Sequence, residues 1–170
     1  MYGGDIENVF GGSNYRGTVE GDIHIIVDSS TSCPLDIDYL YGGSQLSKYA
    51  PDGNTTDPNR VSPLVELRNG HVNYDVYGGS RGGRPSHPWG NGVMYSNPKV
   101  IVGSKTTGKF RIGGNLYGGG SAGDVNGDTE IKIDGHLDGS SNPTTNIIGN
   151  VFGGGKSGDV NGNSKVTIVE

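Results

Sequence analysis

One stretch of this chain is a near copy of another, and that repetition limits the fold more than any other feature. Asn150-Val151-Phe152-Gly153-Gly154-Gly155-Lys156-Ser157-Gly158-Asp159-Val160-Asn161-Gly162-Asn163-Ser164-Lys165-Val166-Thr167-Ile168 repeats, 35 residues on, the pattern that runs from Asn115 to Ile133. Apolar, glycine and polar positions stay in register throughout. Such periodicity marks an array of units that each expose an apolar face and bury it by stacking on their neighbours.

The unit is anchored by an aromatic residue followed by two glycines, at Tyr2, Phe10, Tyr41, Tyr77, Tyr117 and Phe152; from Phe10 onward the intervals are 31, 36, 40 and 35 residues. A branched aliphatic precedes each ring from Phe10 on (Val9, Leu40, Val76, Leu116, Val151), and a second aliphatic lies four or five residues before it. A strand that runs into a glycine corner has this form. The second half of the unit is clearest from Gly17, Gly123 and Gly158, where a short strand around a valine meets Glu-Gly or Asn-Gly and an alternating strand follows. Asn-Gly suits the positive φ of a tight corner.

Only 31% of the 170 residues are apolar and 33 are glycine, a composition too lean for one thick core. Chains of this kind are often disordered. Here the apolar residues gather in alternating runs such as Ile23 to Val27, which read as short strands. No segment keeps helical spacing for two turns. The expected fold is an all-β, right-handed parallel β-solenoid: one repeat domain over 1–170, with units near 1–35, 36–71, 72–111, 112–146 and 147–170. A β-propeller or β-sandwich is the alternative, but a propeller blade needs four strands and each unit offers three. Leu116, Val125, Ile131 and Ile133 should face inward, with Val151, Val160, Val166 and Ile168 stacked on them. Tyr117 and Phe152 should form an aromatic ladder. Polar insertions at 44–62, 80–98 and 134–145 should bulge from one corner of the stack. The motif is already under way at Tyr2, and the chain stops in a strand pattern at Ile168-Val169-Glu170. A piece of a longer array, with open strand edges at both ends, is therefore expected.

The chemistry is sparse. Net charge is −5 with no basic run, so the electrostatic footprint of a nucleic-acid binder is missing. Cys33 is the single cysteine, which excludes an internal disulfide and a cysteine-rich zinc site. No apolar stretch approaches the roughly 20 residues that span a bilayer. Asp124, Asp128 and Asp159 follow glycines, but calcium nonapeptide repeats need a nine-residue period; these read as turn residues bonding their own backbone. The glycine triplets precede no helix and cannot cradle phosphate. No metal or cofactor is expected. Asp36, Asp38 and Asp75, with Arg68, Arg81 and Arg84, show no spacing that places two carboxylates across a sugar, and His24, His71, His87 and His136 lie in separate segments. One insertion does gather recognition chemistry: Arg81, Arg84, His87, the sole tryptophan Trp89, and Tyr95. Aromatic faces flanked by polar donors suit a sugar ring or a protein partner.

The pattern Asn-aliphatic-aromatic-Gly-Gly-Gly, then Gly-Asp-Val-x-Gly-Asn-x-x-Val-x-Ile, resembles the tandem repeats of large glycine-rich surface proteins of gut and host-associated bacteria. Those proteins are similar to β-helical adhesins and autotransporter-like passenger domains. The resemblance covers the last two units well and residues 8–28 moderately. Units between 40 and 110 depart from it, with Ser44 and Ser80 in place of the third glycine. It implies an exported, cell-surface location and transfers no catalytic residue. The expected function is a non-catalytic structural or adhesive module that binds a glycan or a surface protein through its insertions. The alternatives are a polysaccharide lyase or hydrolase on a β-helix, and a filament subunit that self-associates end to end.

Overall fold

The computed structural model describes residues 4–29, 35–83, 91–103, 108–135, 137 and 144–169. All regular structure among them is β, and every strand pairing is parallel. The chain is a β-solenoid, in which successive units lie on one another as coils.

Three ladders run along the stack. The first joins Gly4–Phe10, Leu35–Tyr41, the end of Val61–Val72 with Val76–Tyr77, Phe110–Ile112 with Leu116–Tyr117, and Thr145–Ile147 with Val151–Phe152. The second links Val19, Tyr49, Met94, Val125 and Val160, by a two-residue pairing at the first step and by single bridges after it. The third joins His24–Asp28, the start of Val61–Val72, Asn97–Val102, Thr129–Asp134 and Ser164–Val169. Register holds along the inward positions, with irregularities between Val27 and Asp28 and between Val61 and Leu64, because a slip of one residue through a strand would turn its inward side chains outward. Leu116 pairs with Val151, Ile131 with Val166 and Ile133 with Ile168, as the repeat requires.

The interior is thin. Val27, Ile37, Leu40, Val65, Leu67, Val72, Val76, Val100, Val102, Phe110, Ile112, Leu116, Ile131 and Ile133 form its main cluster, and Ile23, Tyr49, Met94 and Val125 fill the second corner. Alternation along each strand lets few apolar residues close this core, because every inward side chain packs on its own coil and on the coils either side.

The aromatic ladder extends through all five coils. Phe10, Tyr41, Tyr77, Tyr117 and Phe152 stack with centroids 4.9 Å apart at each of four steps. Tyr41, Tyr77 and Tyr117 form a buried cluster of their own, with Phe10 and Tyr39 packed against it. Each stacked pair adds roughly 0.5–1.5 kcal/mol beyond its buried area.

Polar ladders run beside it. Asp75 Oδ1 accepts the Asn115 backbone N–H at 2.8 Å, and Asn115 Oδ1 accepts that of Asn150 at 2.9 Å. Asn97 Oδ1 accepts the N–H of Asp128 (2.9 Å), Asp128 Oδ1 that of Asn163 (2.7 Å), and Asp124 Oδ1 that of Asp159 (2.9 Å). These turn aspartates do bond backbone, but the backbone is that of the next coil rather than their own.

Two expectations about corners need correction. The glycines of the Asn-Gly corners, Gly127 and Gly162, do not take positive φ. They are needed for close approach: a Cβ on Gly127 would lie 2.3 Å from the Ser96 carbonyl oxygen, and one on Gly162 2.4 Å from that of Gly127. The insertions also leave from three corners, not one. Eight residues separate Tyr41 from Tyr49, Tyr117 from Val125 and Phe152 from Val160, but seventeen separate Tyr77 from Met94. Another insertion lies between Tyr49 and Val61, and a third between Asp134 and Thr145. The different corners arise because each interruption falls after a different strand of its unit.

Candidate recognition surface

The insertion after Tyr77 leaves the stack through a glycine neck. Gly82 N–H donates to Gln45 O and Gly92 N–H to Leu46 O, both at 2.8 Å, so these two glycines take consecutive places on the coil below. A Cβ on Gly92 would fall 2.7 Å from Gly82 Cα. Both glycines have φ of +70°, the left-handed region that other residues avoid. The corresponding positions one coil on are Ala122 and Gly123, adjacent in sequence. The frame is therefore complete without residues 83–91.

The insertion after Tyr49 behaves differently. Thr56 Oγ1 donates to Asn126 O, and Asn97 Nδ2 donates to Asp57 O at 2.8 Å and Arg60 O at 2.9 Å. Arg60 also reaches Asp52 at 3.0 Å. This segment lies against the following coils and is part of the wall.

A second surface lies on the outer side of the first ladder. Asp36 pairs with His71, and His71 with Arg111. Their side chains form a row: Asp36 Oδ1 is 3.4 Å from His71 Nδ1, and Arg111 Nη1 is 2.6 Å from His71 Nε2. A guanidinium can only donate, so His71 Nε2 is the acceptor and Nδ1 carries the proton that faces Asp36. With both ring nitrogens engaged, His71 can bind and orient. Beside the row, Asp5, Glu7, Asp36, Asp38 and Asn73 line a hollow of about 420 Å³, with Asp38 Oδ1 accepting from Asn73 Nδ2 at 2.8 Å. Further along, Lys109, Arg111, Thr144 and Asn146 line another of about 290 Å³. This face passes from acidic in the first two coils to basic in the fourth.

Asp75 is a structural node. Its carboxylate accepts from the Asn115 backbone and side chain, from the Tyr77 hydroxyl at 2.9 Å and from Lys156 Nζ at 3.2 Å. Burial would raise its pKa, but those hydrogen bonds and the Lys156 charge outweigh it and hold the carboxyl below the ordinary aspartate value. Burial, and the bond to Asp75, push the Tyr77 hydroxyl up.

Of the residues read as a recognition loop, Arg81 is exposed, with its charge acting on Tyr41, and Tyr95 is half-buried with its N–H on Tyr49 O at 2.8 Å. Arg84, His87 and Trp89 lie outside the described residues, as do Cys33 and His136. Arg68 is bound to Glu66 at 2.7 Å and His24 to the same carboxylate at 2.9 Å, which accounts for both without a ligand. The described residues hold no cluster of three or more histidine, cysteine, aspartate or glutamate side chains suited to a metal, and no helix is long and apolar enough to cross a membrane. The Asp36–His71–Arg111 row was hidden in the sequence, since its members are 35 and 40 residues apart. Counting back from the rings would have found it, with Asp36 five residues before Tyr41 and His71 and Arg111 each six before theirs. Comparisons with protein-family models, curated proteins and solved structures returned no match.

Proposed function

We propose that this chain is a non-catalytic structural and adhesive module of an exported bacterial cell-surface repeat protein, with an insertion loop that recognises a glycan or a protein partner. The observation that carries this reading is the Gly82–Gly92 neck. The frame closes from Gly82 to Gly92, and the nine residues between them in sequence, Trp89 among them, have no counterpart in the following coil, where Ala122 and Gly123 are adjacent. Segments that a scaffold does not need are where binding tends to reside. Buried polar groups such as Asp75 and Thr129 are engaged in ladders between coils, which suits a stalk.

A panel of host and microbial glycans, with product analysis, tests the proposal. Binding without turnover is expected, and Trp89→Ala should weaken it at least about tenfold, or ~1.4 kcal/mol. Cleaved glycan would favour the second reading, a polysaccharide lyase or hydrolase. That reading rests on the Asp36–His71–Arg111 row beside the acidic hollow, and it requires Arg111→Ala or His71→Ala to abolish cleavage while Trp89→Ala leaves it.

A further inference from the structure

A second, shorter row of rings lies on the outer wall, just before the glycine corners. Tyr39 and Tyr74 stack with centroids 5.0 Å apart and an interplanar angle of 21°. Tyr39 pairs with Asn8 on the first coil and packs against the long ladder, while Tyr74 is 52% exposed. Along the stack Tyr74 is followed by Gly114 and Gly149, each like it three residues before the ring of its coil. Gly114 N–H donates to Tyr74 O at 2.9 Å, and Gly149 N–H to Gly114 O at 3.0 Å. The short row therefore stops in the third coil, where the long ladder goes on. We propose that the open face of Tyr74 is a sugar-binding shelf, on which a neutral pyranose of a glycan stacks with its hydroxyls on Asp38 and Asn73. This site is on the wall of the second to fourth coils and does not depend on the loop at 83–91.

Coil packing keeps the shelf clear. A Cβ on Gly113 would lie 2.2 Å from Asn73 O, and one on Gly114 2.5 Å from Asp75 Oδ1, so the fourth coil can carry no side chain beside Tyr74. One face of the Tyr74 ring rests on Tyr39 of the coil before, and its other face turns toward those two glycines. Neighbouring coils are about 4.8 Å apart. A stacked pyranose would thus fill the place that a ring in the fourth coil would take.

The neighbouring groups select the ligand. The face of an aromatic ring is negative and attracts the weakly positive C–H groups on one side of a pyranose. Asp38 and Asn73 immediately precede the two rings, and Asn73 Nδ2 donates to Asp38 Oδ1 at 2.8 Å. That bond uses one carboxylate oxygen and one amide hydrogen. The other carboxylate oxygen, the amide oxygen and the second amide hydrogen suit adjacent hydroxyls, which both donate and accept. A lysine or arginine of a peptide would also favour a ring near carboxylates, but it only donates and would leave the amide hydrogen unmatched. Asp5, Glu7, Asp36 and Asp38 line the adjoining hollow, so a uronic or sulfated sugar would be repelled. A neutral sugar is what remains.

Titration calorimetry of the whole chain tests the shelf. The probes are neutral hexasaccharides of glucose, mannose, galactose, xylose and N-acetylglucosamine, with oligogalacturonate and a lysine- and arginine-rich peptide as controls. At least one neutral probe should bind with a Kd of about 1 mM or tighter. Tyr74→Ala, checked for folding by circular dichroism, should weaken that binding at least about tenfold, and Asn73→Ala at least about threefold. Tyr74→Phe keeps the ring and should stay within about twofold of the parent. Trp89→Ala should leave this binding unchanged, which separates the shelf from the loop. The proposal would be overturned if no neutral probe bound up to about 10 mM, or if Tyr74→Ala bound like the parent. Tighter binding of oligogalacturonate or of the peptide would also overturn it, as would binding lost with Trp89→Ala alone.

Discussion

Alanine at Gly78 should cost about 3 kcal/mol or more of stability, although it adds a single methyl group. That methyl would sit 2.4 Å from the Gly118 carbonyl oxygen on the next coil, and 3.2 Å from both the Gly118 carbonyl carbon and Val100 Cγ2. Overpacking a tight site costs about 1–3 kcal/mol, and more where the obstacle is backbone that cannot rotate away. The backbone angle is not at issue, because Gly78 has ordinary φ. The same row holds Gly42, whose Cβ would meet Gly78 O at 2.1 Å, and Gly118, whose Cβ would meet Gly153 O at 2.3 Å. At about 2–4 °C per kcal/mol for a chain of this size, melting of Gly78→Ala should fall by roughly 6–12 °C. Gly154→Ala should instead be neutral, or stabilising by up to about 1 kcal/mol, because nothing lies within 4 Å of a Cβ built there. Melting curves of the two variants separate steric necessity from mere glycine preference.

Removing the ring of Tyr77 should be at least as damaging. Tyr77 lies in the middle of the ladder, 4.9 Å from both Tyr41 and Tyr117, and is 2% exposed. Truncation of a buried aromatic costs about 3–5 kcal/mol. Tyr77→Ala also removes a donor from Asp75, while Tyr77→Phe removes only the hydroxyl, with its bonds to Asp75 and Ser121, and should cost about 1–2 kcal/mol. The smaller variant has a pH signature. Asp75 is held below its ordinary value of 3.8 in the folded chain, so the unfolded chain binds the proton more readily. Its contribution is present above that ordinary value and is lost as pH falls through the folded value. Glu130, lowered by its bonds to Lys99 and Lys165, acts in the same direction from an ordinary value of 4.5. In Glu66, burial is outweighed by bonds from Arg68 and His24, with the same result. Stability should therefore fall in acid below about pH 4. The gap between parent and Tyr77→Phe should narrow through that range in urea titrations. A gap that widens in acid would show that Asp75 is not held by Tyr77.

Much of this frame could be read directly from residues. The rings and the aliphatic before each gave the first ladder, and the last two units gave the inward set, because there the chain repeats with little change. The central coils were harder. Tyr49 and Met94 occupy the place of Val125 and Val160, and neither looks like a valine equivalent until its ladder contacts are seen. Tyr49 fits because its hydroxyl donates to Gly21 O at 3.2 Å and bonds Ser62, which satisfies a polar group inside the wall. A one-residue difference was also concealed: Ile37 and Leu40 are three apart, whereas their partners Val72 and Val76 are four apart. Counts back from the ring therefore differ by one, five for Asp36 and six for His71 and Arg111, so the row emerges only when the count is allowed to slip by one. The insertions could be placed in sequence but not in space, since register, not composition, decides which corner each one leaves.

The repeating coils should stand by themselves, with the insertion after Tyr77 carried by them and not supporting them. The most direct test is the melting temperature of a chain lacking residues 83–91, with Gly82 joined to Gly92. Those glycines occupy the places that Ala122 and Gly123 fill on the next coil, so the shortened coil should close as its neighbour does. Melting within about 4 °C of the parent, the shift from roughly 1 kcal/mol, with an unchanged circular dichroism spectrum, is the expected result. A loss as large as that expected for Gly78→Ala would contradict the claim and make the insertion part of the frame.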